Sequence, residues 1–129
     1  MLVDLDHFKN INDTLGHSAG DRYLVLIANL LLKHVRTLDV VGRLGGDEFV
    51  VILPMTSMEE ARVFESRLRA GMEELGHRYP EFGKATLSLG MAEAPKHGTT
   101  TAALLAAADE ALYRAKRAGR NLTKVANDS

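Results

Sequence analysis

"RLGGDEFVV", residues 43–51, places two glycines and two adjacent carboxylates between two apolar runs. The flanking runs "VVGRL" (40–44) and "FVVIL" (49–53) read as strands joined across "GGDE", with glycines at the turn as a hairpin requires. An acidic hairpin tip is ordinarily just solvated. It becomes a candidate for chemistry if a second acidic element lies beside it. "MLVDLD" (1–6) is such an element: it reads like the end of a strand and carries Asp4 and Asp6 two residues apart. Residues so spaced on a strand point to the same side. With that strand next to the hairpin, three or four carboxylates crowd one edge of a sheet. Like charges this close raise one another's pKa and disfavour folding unless something compensates. A hard divalent cation with oxygen ligands does so, and magnesium also carries phosphate substrates. Gly45 and Gly46 let the backbone approach a ligand closely.

Outward from this pair, "SAGDRYLVLIANLLLKHVR" predicts a helix over roughly 18–36, with Ser18 or Asp21 available near its start. "SMEEARVFESRLRAGMEEL" predicts a second amphipathic helix, with Ser57 and Glu60 spaced as a capping box. "KATLSLGMAEA" has the alternation of a strand. "TTAALLAAADEALYRAKRAG" predicts a third helix ended by Gly119, and "NLTKV" a short final strand before a frayed "NDS". "EAPKHGTTT" is a simple connecting loop. The order strand, helix, strand-turn-strand, helix, strand, helix defines an α+β domain. Its expected form is a central, mainly antiparallel sheet with helices covering one face.

The chain has 129 residues and a formal net charge of -1, so one domain over 1–129 is expected, with no electrostatic case for nucleic acid or an acidic membrane as partner. It has no cysteine, which excludes disulfides and thiolate metal sites and suits a reducing compartment. Its apolar runs are too short and interrupted to span a bilayer, and "MLVDLDHFKN" has acids where a signal peptide needs bases. There is no P-loop pattern. The five histidines show no metal-ligand spacing.

"RLGGDEF", preceded by "DLDHFKNINDTLGHSAGD" and followed by "ATLSLGMA" and "ADEALYRAKRAGRN", resembles the GGDEF family, the diguanylate cyclases. The blocks stand in the family's order and cover almost the whole chain. The resemblance implies a helix-flanked sheet similar to nucleotide-cyclase and polymerase palm domains. It implies condensation of two GTP into cyclic di-GMP, with release of pyrophosphate, at the interface of a homodimer. By the same likeness, Asp4 and Asp47 match metal ligands for Mg2+ (or Mn2+), assisted by the backbone carbonyl of Leu5. Glu48 matches an acid that helps bind metal and deprotonate the attacking hydroxyl. His7, Phe8 and Lys9 match backbone phosphate contacts, Asn12 and Asp21 guanine readers, and Lys116 and Arg120 holders of the terminal phosphates. Arg36 and Asp39, in "RTLD", match the family's product-inhibition site, with Arg67 as a secondary arginine.

Each residue alone also has a plainer role. Asn12 and Asp13 suit turns, Asp21 suits a helix N-terminus, and Lys116, Arg117 and Arg120 suit a helix C-terminus. Arg36 and Asp39 suit a surface pair. The resemblance further implies a cytoplasmic setting, free or as the cytoplasmic part of a membrane-anchored protein. Family members usually carry a helix and an Asp-x-Leu-Thr stretch before this first strand, linked to a sensory or dimerising module, and these are absent from this sequence. The alternative function is a catalytically silent module that binds GTP or cyclic di-GMP.

Overall fold

The computed structural model describes residues 1–127; Asp128 and Ser129, and so most of the expected frayed "NDS", lie outside the described residues. The strands are β1 (Leu2–Leu5), β2 (Val40–Arg43), β3 (Glu48–Ile52), β4 (Leu87–Met91) and β5 (Thr123–Val125). The helices are α1 (Phe8–Leu15), α2 (His17–His34), α3 (Met58–Arg78) and α4 (Thr101–Arg117). The sheet runs β2-β3-β1-β4-β5, antiparallel except for the parallel β4–β5 pair. The first strand is therefore central, which puts residues near the N-terminus beside the hairpin.

Helices cover both faces of the sheet rather than one. Val3 and Leu5 of β1, Phe49 and Val51 of β3, and Leu87 and Leu89 of β4 pack with Ile27, Leu31, Phe64 and Leu68 of α2 and α3. Leu2, on the opposite side of β1, packs with Ala108 and Leu112 of α4. All residues of β1 and β4 are buried, as expected of strands covered on both sides. Gly90 permits the second layer: a Cβ there would lie 2.1 Å from the Ala108 carbonyl oxygen and 2.5 Å from the Leu112 nitrogen. Burying Leu112, 2% exposed, contributes about 2 kcal/mol.

The extra helix α1 lies between the first strand and the helix expected at 18–36, where no helix was expected. Its usual start signals are missing. His7 caps it in the left-handed region (φ 63) with no side-chain hydrogen bond, and no acid lies in its first turn. Gly16 (φ 93) ends α1 and caps α2, so neither Ser18 nor Asp21 is the α2 cap. The Ser57–Glu60 capping box on α3 is present in both directions, and Thr100 caps α4.

Candidate active site

Strand pairing sets Asp4 directly opposite Glu48, and the Leu5 amide donates to the Asp47 carbonyl at 3.0 Å. The carboxylates of "DLD" and "GGDE" thus share one end of the β1–β3 pair. Asp4 is buried and forms an ion pair with Lys116 of α4. Burial pushes the Asp4 carboxyl above its ordinary pKa; Lys116 opposes this, and the neighbouring Asp47 and Asp6 charges reinforce it. Burial also raises Glu48, with the charges of Asp4 and Asp109 adding to it. The cluster is electrostatically under-compensated: one ammonium faces several carboxylates.

The tip between β2 and β3 is held from below. Arg43 donates from Nε to the Gly45 carbonyl at 2.8 Å and from Nη2 to the Gly46 carbonyl at 3.0 Å. A Cβ at Gly45 or Gly46 would meet no protein atom within 4 Å, and neither has a positive φ. The protein's own packing does not require glycine there, and the backbone of the tip is open to close approach. All candidate donors at this edge are oxygens, the set a hard divalent cation takes. Among the described residues, no three or more His, Cys, Asp or Glu side chains are grouped as a ready metal cage.

Asp6 has a different task from Asp4. Its buried carboxylate accepts from Thr86 Oγ1 at 2.8 Å, Ser88 Oγ at 2.7 Å and the Asn121 amide at 3.0 Å. These bonds tie the turn after α4 to β1 and β4. Arg69 grips the same turn, donating to the Leu87 carbonyl, Asn121 Oδ1 and Thr123 Oγ1. Arg120 and Asn121 both have positive φ (64 and 52), and the Arg120 side chain is exposed. Lys116 and Arg120 therefore stand differently: Lys116 faces Asp4, while Arg120 projects from a braced turn.

α1 and α2 form a tight pair joined at Gly16. His7 and Lys9 are exposed, and Phe8 is core. Asn12 is half-buried, with its amide against Gly20 and so next to the exposed Asp21. Arg36 and Asp39 pair with each other: the Arg36 amide donates to Asp39 at 2.7 Å, and Nη2 at 3.0 Å. Arg36 also donates to the Pro54 carbonyl at 2.9 Å and to Thr56 Oγ1 at 2.6 Å. The guanidinium holds the Asp39 carboxyl below its usual range. Arg67 is exposed on α3, and no described hydrogen bond or ion pair joins it to that pair.

Three features escaped the sequence. Asp109 acts on Glu48 from α4; its seven-residue spacing from Lys116, two helical turns, was the available signal. Arg43 and Gly20 carried no signal, since neither the grip on the tip nor the seat under Asn12 shows before the backbone is folded. An apolar groove of about 500 Å3, lined in part by Val50, Ile52, Leu104 and Ala108, opens on the α4 face. Neither Asp4, Asp47 nor Glu48 lines it.

A helix-flanked sheet with an acidic β1–β3 edge and glycine tip is the arrangement of the cyclase palm fold. Residues 1–122 match the family described as diguanylate cyclase, GGDEF domain, and the chain belongs to that family. It is 45% identical over 126 residues to diguanylate cyclase DgcP of Pseudomonas aeruginosa, covering 97% of this chain and 19% of that protein. It is 42% identical over 128 residues to probable diguanylate cyclase DgcC of Escherichia coli K12, covering 98% of this chain and 34% of that one. The chain thus spans about a third or less of these relatives. Among solved structures, the GGDEF domain of PA1120 (YfiN or TpbB) from Pseudomonas aeruginosa superposes with TM-score 0.84 at 39% identity, covering 98% of this chain and 80% of that one. The GGDEF domain of DgcB from Caulobacter crescentus, in complex with c-di-GMP, superposes with TM-score 0.80 at 31% identity, covering 96% of this chain and 74% of that one. No helix among the described residues is long and apolar enough to cross a membrane.

Proposed function

We propose that this chain is the catalytic domain of a diguanylate cyclase, acting on GTP as a cytoplasmic homodimer. The observation that carries the reading is the register placing Asp4 opposite Glu48, with Asp47 adjacent, beside a tip where no internal packing calls for glycine. Family membership and the c-di-GMP complex of a similar domain support the ligand class.

Asp4, Asp47 and Glu48, with the Leu5 carbonyl, would hold Mg2+ or Mn2+. Such an ion, when bound, neutralises triphosphate charge and acidifies a nearby hydroxyl. Asn12 and Asp21 read the guanine: Asp21 accepts from N1–H and the 2-amino group, and the Asn12 amide gives and takes hydrogen bonds on the base edge. Adenine, lacking that amino group, is disfavoured. Backbone amides at His7, Phe8 and Lys9, at the start of α1, serve the phosphates. Lys116 and Arg120 serve the terminal ones.

Each protomer presents one GTP. The 3′-oxygen of one attacks the α-phosphorus of the other, the bond to pyrophosphate breaks, and the hydroxyl proton passes to Glu48. A second, symmetric transfer closes the ring. Arg36 and Asp39, with Arg67, bind the product as a brake. A preceding helix and Asp-x-Leu-Thr stretch would help wall the guanine pocket and link the domain to a sensory or dimerising module.

The test is GTP turnover with magnesium at several protein concentrations, products being identified by mass. Cyclic di-GMP formed with specific activity rising with concentration, and abolished in Asp47→Ala and Glu48→Ala, is expected. GTP or cyclic di-GMP binding without product, in this chain and in a version extended at its N-terminus, overturns the enzyme in favour of a silent binding module.

A further inference from the structure

Gly20 lies in the first turn of α2 and is buried, with no positive φ to explain it. Alanine in its place would be the better helix former. What opposes alanine is a single side chain. A Cβ on Gly20 would fall 1.8 Å from Asn12 Oδ1, 2.9 Å from its Cγ and 3.5 Å from its Nδ2; these are the three nearest atoms. The Asn12 amide itself makes no hydrogen bond with the described protein, although the residue is half-buried. An unbonded amide resting on bare helix backbone contributes little to the fold.

The other close glycines differ. At Gly71 a Cβ would meet Leu30 at 2.5 Å, and at Gly90 it would meet helix backbone; both serve packing. Only at Gly20 is the missing methyl the seat of a polar side chain.

We infer that Gly20 is a positioning residue for base recognition: its bare α-carbon fixes the Asn12 amide beside Asp21. The inference rests on the reading of Asn12 and Asp21 as the guanine contacts. The obstructing atoms are the far end of a mobile side chain, so Gly20→Ala folds normally and turns the amide away. The consequence is loss of about one hydrogen bond to the base, near tenfold in affinity.

The experiment is a double-mutant cycle. GTP affinity is measured by calorimetry, with calcium replacing magnesium to halt turnover, in the unaltered protein, Gly20→Ala, Asn12→Ala and the double variant. Melting temperature and the Asn12 side-chain amide resonance are recorded alongside. Expected are an undiminished melting temperature in Gly20→Ala, a displaced Asn12 resonance, GTP binding weakened about tenfold, and no further loss when Gly20→Ala is added to Asn12→Ala. Unchanged GTP affinity in Gly20→Ala, or an equal loss in the Asn12→Ala background, overturns the inference. If Asn12→Ala binds GTP normally while the resonance still moves in Gly20→Ala, the guanine assignment fails and the inference with it.

Discussion

The carboxylate of Asp6 accepts a hydrogen bond at 3.0 Å from the backbone amide of Asn121, 115 residues away. This joins the end of the central strand to the turn that carries Arg120. Asp6→Ala orphans the Thr86 and Ser88 hydroxyls together with the Asn121 amide, at a cost of about 2–3 kcal/mol. Asp6→Asn retains an acceptor and is milder. Thermal denaturation should rank them so, and KM for GTP should rise more than kcat falls in Asp6→Ala. Equal stability of both variants to the parent would remove the bracing role.

Asp4 and Glu48 oppose each other across two strands, and like charges so placed destabilise a sheet. Glu48→Gln should therefore stabilise the metal-free protein, by about 0.5–1 kcal/mol on the scale of a cross-strand pair, while abolishing turnover. Burial and the neighbouring carboxylates hold both folded carboxyls above their ordinary values. In that window the native state holds more protons than the unfolded chain, so stability falls as pH rises through it. The advantage of Glu48→Gln should be full above the window and vanish below the unfolded values. Melting curves across pH, in chelator, read this directly.

Gly90→Ala should be damaging where Gly20→Ala is not. The added methyl meets backbone of α4, which cannot turn aside as a side chain does. A loss of at least about 2 kcal/mol is expected by denaturant titration, with α4 the first helix to lose amide protection on exchange. Stability within error of the parent would show that α4 has slack against β4.

Arg36→Ala should relieve inhibition by cyclic di-GMP and weaken its binding, with little effect on initial rate at low product. The Asp39 carboxyl, freed of the guanidinium that holds it low, should return toward the usual carboxylate range. The stability the pair supplies is present above the unfolded carboxylate value and is lost as pH falls through the lower folded one. The acid limb of unfolding should thus shift only slightly, since the pair is at the surface. Product titration in calorimetry decides the binding part: unchanged affinity would leave Arg36 as a brace for Pro54 and Thr56 alone.

Much of this was legible before folding. The apolar runs around "GGDE" marked a hairpin and "DLD" a strand end; their adjacency was only a supposition, and the β1–β3 pairing is where the structure supplies it. The Ser57–Glu60 box, a purely local device, survived intact. What hid was non-local. α1 lacks the caps that mark a helix, since its start is His7 in the left-handed region and its end is shared with α2 at Gly16. α4 was placed on the wrong count of faces, because the alternation of β4 says nothing about a glycine making room for a helix. Strand parity put Asp6 on the same side as Asp4, and three hydrogen-bond donors claim its carboxylate.

The position of β1 at the middle of the sheet also sets an order of events in time. Its neighbours, β3 and β4, follow it in the chain, and its Asp6 finishes its bonds only with Asn121. A nascent chain leaving the ribosome cannot close this sheet from one end as it emerges. β1 can pair with β3 once residues 48–52 have emerged, but its other edge stays open until β4, and Asp6 lacks its last donor until Asn121 is made. The brace that Asp6 gives the Arg120 turn is thus among the last parts of the sheet to form during synthesis.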